Sequence, residues 1–142
     1  MGVMTLIVGI AQMKIASAKV KLDLYNKRFN VYLATLECYQ EIYGKDVVKY
    51  ELKYDEFVKC YREAQFLFDK KDQIFEVLGR IMNHSGDILI YDKNIAVSDK
   101  EAAFILGQKR EEAKLAFGNE LMSLEKKLAK YISFKTVTGW LG

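Results

Sequence analysis

MTLIVGIAQMKIASAKVKLDLYNKRFNVYLATLECYQEIY, residues 4–43, decides the fold. Taken alternately four and three residues apart it gives Met4, Val8, Ala11, Ile15, Ala18, Leu22, Tyr25, Phe29, Tyr32, Leu36, Tyr39 and Tyr43, a heptad stripe whose every member is apolar or aromatic. A strand period would instead place Lys21, Asp23, Asn26 and Arg28 on both faces. The spacing therefore predicts one helix of about eleven turns. Its two ends differ. Gly2 to Ala11 is apolar all round, whereas from Lys14 onward the stripe has a charged back made of Lys14, Lys19, Lys21, Asp23, Lys27 and Arg28. Gly44 is expected to close the helix in the left-handed conformation.

Working outward, the 142 residues suffice for one hydrophobic core and not for two. With 51% hydrophobic and 29% charged residues the composition is that of a folded protein, and the absence of proline removes the commonest helix breaker, so the expected class is all-α. The net charge of +3 is modest but concentrated: Lys14, Lys19, Lys21, Lys27 and Arg28 face Asp23 alone. A basic collar directly after an apolar run suits a membrane surface better than a nucleic acid. Cys38 and Cys60 form no CxxC pair, each sits beside core positions, and both read as small hydrophobes.

The opening MGVMTLIVGIAQMK admits several readings. Gln12 and Lys14 cut the apolar run at about a dozen residues where a span needs about 20. A signal peptide would carry its basic residues before the run, and a myristoylation motif would need Ser or Thr where Leu6 stands. What is left is a short membrane anchor built on Val3, Met4, Leu6, Ile7, Val8 and Ile10, single-pass if it spans, or an apolar helix tip buried in an oligomer. Residues 1–17 form this tip and residues 18–142 the bundle domain.

Past Gly44, residues 45–54 read as a connector and Asp55 as the cap of a second helix with Phe57, Tyr61, Ala64 and Phe68 on one face. Phe66, Leu67 and Phe68 read as a core anchor. Asp69 to Asp72 interrupts this helix, which resumes through Ile74, Phe75, Leu78, Ile81 and Met82 and is expected to be kinked or split. His84 to Asp87 reads as a loop. Ser98 with Glu101 fits a capping box, opening a last long helix through Leu106, Ala113, Phe117, Leu121, Leu124, Leu128 and Tyr131. Gly107 and Gly118 within it offer close approach to another helix, and residues 133–142 form a tail with Phe134 and Trp140. The expected architecture is an antiparallel helical bundle with one very long N-terminal helix and a broken middle helix.

No catalytic constellation is visible. His84 is the single histidine, which excludes a di-iron bundle built on Glu-x-x-His pairs. The glycines are scattered and form no phosphate-cradling motif. His84, Ser85 and Asp87 lie too close in sequence to converge on one centre. No cofactor, metal or small-molecule substrate is expected. The tyrosines at 25, 32, 39 and 43 line one stripe, either packed inside the bundle with hydroxyls reaching its edge or forming a partner groove.

KLDLYNKRFNVYLATLECYQEI, residues 21–42, resembles a group of bacterial proteins of uncharacterised function in which a short N-terminal membrane segment leads into a helix of the kind KLxLYxKRFxVYxA. FLFDKKDQIFEVL, residues 66–78, and AKYISF, residues 129–134, extend the similarity over most of the chain, while the apolar segment is shorter here. The resemblance implies location and shape and brings no activity with it. The expectation is a non-enzymatic helical protein at the inner face of a bacterial membrane, its bundle facing the cytoplasm. Self-association would run through Leu22, Tyr25, Phe29, Tyr32, Leu36 and Tyr39. The alternatives are a cytoplasmic interaction module or subunit whose tip is covered by partner helices, and a membrane-perturbing effector.

Overall fold

The computed structural model describes residues 2–132, and the side chains of residues 16–132 among them. Over the described residues it is an all-α bundle of four helices: α1 (Gly2–Glu41), α2 (Val47–Ala64), α3 (Ile74–Ile95) and α4 (Lys100–Leu128), with a 3-10 turn, Lys70–Asp72, between α2 and α3. No strand occurs among the described residues.

Each helix buries one line of side chains at helical spacing. On α2 the line is Tyr50, Phe57 and Ala64, seven residues apart. On α3 it is Ile74, Val77, Leu78, Ile81, Ser85, Ile88 and Leu89, and on α4 Phe117, Leu121, Leu124 and Leu128. Cross-helix contacts fix the directions. Glu37 pairs with Lys53, and Arg28 reaches Leu67, so α1 and α2 are antiparallel. Tyr50 bonds Ser85 and Tyr61 stacks on Phe75, so α2 and α3 are antiparallel. Arg80 meets Glu120 and Asp92 meets Arg110, reversing α4 on α3. Tyr32 bonds Glu125 and Arg110 bonds the Ile42 carbonyl, which closes α4 back onto α1. The topology is up-down-up-down.

The buried line of α1 is Val31, Thr35, Cys38 and Ile42, one residue away from the stripe read in the sequence. Tyr32 is also buried; Phe29, Leu36 and Tyr39 flank the line against α2 or α4; and Leu22 is 59% exposed. The displacement has a physical reason. Thr35 is admitted to the core because its hydroxyl donates to the Val31 carbonyl at 2.7 Å, and a stripe drawn through large apolar residues misses such a position.

Several local expectations are corrected. Helix α2 starts at Val47, not after Asp55, because the Asp46 carboxylate accepts from the Val48 and Lys49 amides, and the supposed connector is its first two turns. Gly44 has a negative φ; successive bonds from Ile42 N to Tyr39 O, Tyr43 N to Gln40 O and Gly44 N to Glu41 O wind the end of α1 down instead. Among the described residues the left-handed conformation is taken by Gln73, φ 58°, where the 3-10 turn joins α3. The middle helix is split there into α2 and α3. Phe66 is 82% exposed and no core anchor, whereas Leu67 and Phe68 pack against the core. His84 to Asp87 lies inside α3 and not in a loop, because Ser85 turns its hydroxyl back to the Met82 carbonyl and offers its own carbonyl to buried Tyr50. Helix α4 is capped by Asp99, whose carboxylate accepts from Ala102 N, while the Ser98 hydroxyl is engaged by the Asn94 carbonyl. Phe134 and Trp140 lie outside the described residues.

Candidate functional site

Two features outside the packed core stand at the same end of the bundle. They are the stretch of α1 that precedes Arg28, and the ends of α2 and α4 that meet there.

Residues 16–23 are all exposed, and packing of α1 begins with half-buried Leu24 and Tyr25. The partner helices run out at that level: Arg28 Nε donates to the Leu67 carbonyl at 2.8 Å, and its guanidinium lies 4.6 Å from the Tyr131 ring centroid and 5.9 Å from that of Phe68. Arg28 therefore departs from the collar expected of it. It seals the bundle by satisfying a carbonyl left beyond the end of α2. Lys19, Lys21 and Lys27 are exposed and have no ion pair among the described residues. Val20 and Leu22 are exposed between them. The side chains of the proposed anchor, Val3, Met4, Leu6, Ile7, Val8 and Ile10, and of Lys14 lie outside the described residues. Among the described residues no helix is long and apolar enough to cross a membrane, and the single-pass expectation finds no support there.

Beside Arg28, Asp72 accepts from Lys130 and from the Tyr131 hydroxyl, and that hydroxyl in turn accepts from Asp69 N at 3.2 Å. The Lys130 bond first, and the Tyr131 bond second, hold the Asp72 carboxyl below the usual carboxylate range. This knot joins α1, the α2–α3 turn and the end of α4. Sequence reading missed it because it is made by residues up to 103 positions apart, Arg28 to Tyr131, with no motif between them. The aromatic cluster at 66–68 and the charged break at 69–72 were its sequence signals, and neither pointed to Arg28 or Tyr131.

The remaining heptad residues are used within the chain. The Tyr32 hydroxyl donates to Glu125 at 2.7 Å; burial first, then that carboxylate, raises its pKa. The Tyr39 ring packs on Phe117, centroids 5.1 Å apart, and its hydroxyl pairs with that of Tyr43 at 3.1 Å. Tyr43 is exposed with Lys114 Nζ over its ring at 4.3 Å.

At the opposite end lies a polar cavity of about 370 Å³ beside the α1–α2 turn, lined by Asp92, Arg110 and Lys114 among others. Its central cation is already engaged: Arg110 Nε meets Asp92 at 2.6 Å and Nη2 donates to the Ile42 carbonyl at 2.8 Å. Cys38 is buried and desolvation pushes its thiol from 9.0 to about 12, which keeps it un-ionised and unreactive near neutrality. Among the described residues no group of three His, Cys, Asp or Glu side chains is arranged to hold a metal. His84, Ser85 and Asp87 lie within one turn of α3, with Ser85 buried in the core, His84 half-buried and Asp87 exposed.

Compared with family models, curated proteins and solved structures, the chain matches none.

Proposed function

We propose that this chain is a non-enzymatic membrane-associated helical protein that self-associates and acts through protein–protein contacts. The observation that supports the reading is the departure of α1 from the bundle ahead of Leu24: the exposed residues 16–23 lead directly into the apolar run at residues 2–13. A basic stretch between an apolar tip and a folded bundle fits a helix held at a bilayer interface. The N-terminal helix is read as one continuous element, with the apolar tip inserted into the bilayer without crossing it. The basic residues that follow it favour the inner face of a bacterial membrane, with the bundle in the cytoplasm. Self-association is assigned to the exposed stretch around Ala18 and Leu22, since the heptad positions from Phe29 onward are already occupied by α2 and α4.

Fractionation of the expressed chain tests this. Wild type is expected in the membrane pellet after an alkaline carbonate wash, and Leu6→Asp with Ile7→Asp in the supernatant. Equal recovery of both in the pellet would sink the reading.

A second reading, a soluble interaction module, draws support from Phe104, Leu115 and Met122, which lie exposed along one face of α4. On that reading the purified chain stays in solution without detergent as a defined oligomer.

A further inference from the structure

Charge is divided between the two ends of the bundle. Residues 19–28, 62–76 and 124–132, at the end where α1 emerges, hold ten basic against six acidic side chains. Residues 41–56 and 87–112, at the other end, hold seven against eleven. The basic excess has a focus: a cleft of about 400 Å³ lined by Lys71, Lys126, Lys127 and Lys130 together with Asp72. Asp72 is committed to Lys130 and Tyr131. Lys71 is loosely paired with Asp69 at 3.7 Å and is 74% exposed at its side chain, and Lys126 and Lys127 have no ion pair among the described residues.

The helix dipole accounts for lysines in the last turn of α4. It accounts neither for Lys70 and Lys71, brought alongside by the α2–α3 turn, nor for Lys19, Lys21 and Lys27 on the same end of the molecule. Resting on the membrane reading above, we infer that the lysine cleft at the α1 end of the bundle is a contact surface for anionic lipid headgroups. The apolar run leaving from this same end selects a lipid surface over a nucleic acid.

Geometry adds a constraint. From Arg28 to Met13 a helix rises roughly 22 Å. An upright α1 would hold the cleft more than two Debye lengths, each about 8 Å at physiological ionic strength, above the headgroups, where its charges would be screened. Contact therefore requires α1 to be inclined to the bilayer, so that the collar and the cleft reach the headgroups together.

Flotation of the full chain with phosphatidylcholine vesicles, and with the same vesicles containing phosphatidylserine, is the test. The variants are Lys71→Gln/Lys126→Gln/Lys127→Gln and, at the far end, Lys45→Gln/Lys49→Gln/Lys109→Gln, each checked for unchanged thermal unfolding. Wild type is expected to bind both vesicles and the anionic ones more tightly. The cleft variant should lose about a hundredfold in affinity for anionic vesicles and nothing for neutral ones, and the far-end variant should behave as wild type. Equal binding of wild type to both vesicles, or equal loss in both variants, would overturn the proposal while leaving the apolar tip standing. Binding to neither vesicle would remove the membrane reading itself. Tighter binding of the wild type to single-stranded RNA than to anionic vesicles, lost in the cleft variant, would reassign the cleft to nucleic acid.

Discussion

At Gly118 a β-carbon would sit 2.9 Å from the Tyr39 hydroxyl oxygen, while at Gly107, eleven residues earlier on the same helix, it would meet nothing within 4 Å. One glycine is a seat for a side chain and the other is simply a poor helix former. The distinction repeats on α3, where Gly79 lies under Tyr61 and Gly86 under Tyr54: the two tyrosines are seven residues apart on α2 and the two glycines seven apart on α3, the matched spacing of an antiparallel pair. Gly107→Ala is expected to raise stability by about 0.5–1 kcal/mol, the helix-interior difference between the two residues. Gly118→Ala should gain less, and should recover the full increment when Tyr39→Phe removes the hydroxyl. Urea unfolding of the wild type, the three single variants and the Gly118→Ala/Tyr39→Phe double variant measures this, and an equal gain from Gly118→Ala in both backgrounds would contradict the packing described. Neither glycine could be assigned from sequence, because the residue that decides each role lies on another helix.

At the scale of the element, what ends each helix matters as much as what forms it. Helix ends leave carbonyls without intrahelical partners. Two arginines from neighbouring helices take up such groups: Arg28 of α1 bonds Leu67 O beyond α2, and Arg110 of α4 bonds Ile42 O beyond α1. Each is also held by a second contact, the rings of Tyr131 and Phe68 for Arg28 and the Asp92 carboxylate for Arg110. A lysine keeps the charge but loses the planar fork and the stacking face. Arg28→Lys and Arg110→Lys are each expected to cost about 1–3 kcal/mol in chemical denaturation, whereas exposed Lys19→Gln should change stability by less than about 0.5 kcal/mol. If Arg28→Lys were as silent as Lys19→Gln, the end of the bundle would not be sealed as described. The elements themselves were readable, and their caps less so. The start of α2 was misplaced because Asp46 and Asp55 are both plausible caps, and only the Val48 and Lys49 amides show which one acts.

For the whole molecule, the knot at Asp72 ties the end of α4 to the α2–α3 turn and so couples acid to the integrity of one end of the bundle. Its carboxyl is depressed below the ordinary 3.8 by its bonds to Lys130 and Tyr131. A depressed folded-state value contributes stability above pH of about 4 that is lost as pH falls through the lowered value. Asp72→Asn should therefore melt below wild type at pH 7, and the two melting temperatures should converge toward pH 2. A constant offset across that range would show that the carboxylate charge is not what the knot uses. The same end of the molecule carries the basic excess and the departing α1, so its order bears on any membrane contact.

The residues alone determined that the chain is all-α: heptad and near-heptad spacings without a proline favour helices strongly enough to survive misplaced caps. They also marked the break at 69–72, where Asp-Lys-Lys-Asp interrupts two apolar runs. Only the tertiary structure decided which side of α1 is buried, since enclosure by two neighbours admits Thr35 and Cys38, and where its packing stops, which leaves Leu22 to solvent. It also converted Arg28 from an expected surface cation into a structural one, and it gathered lysines from the α2–α3 turn and the end of α4 into one cleft. Periodicity is local and survives in the sequence, whereas a cleft or a cap made by residues tens of positions apart exists only once the chain has closed on itself.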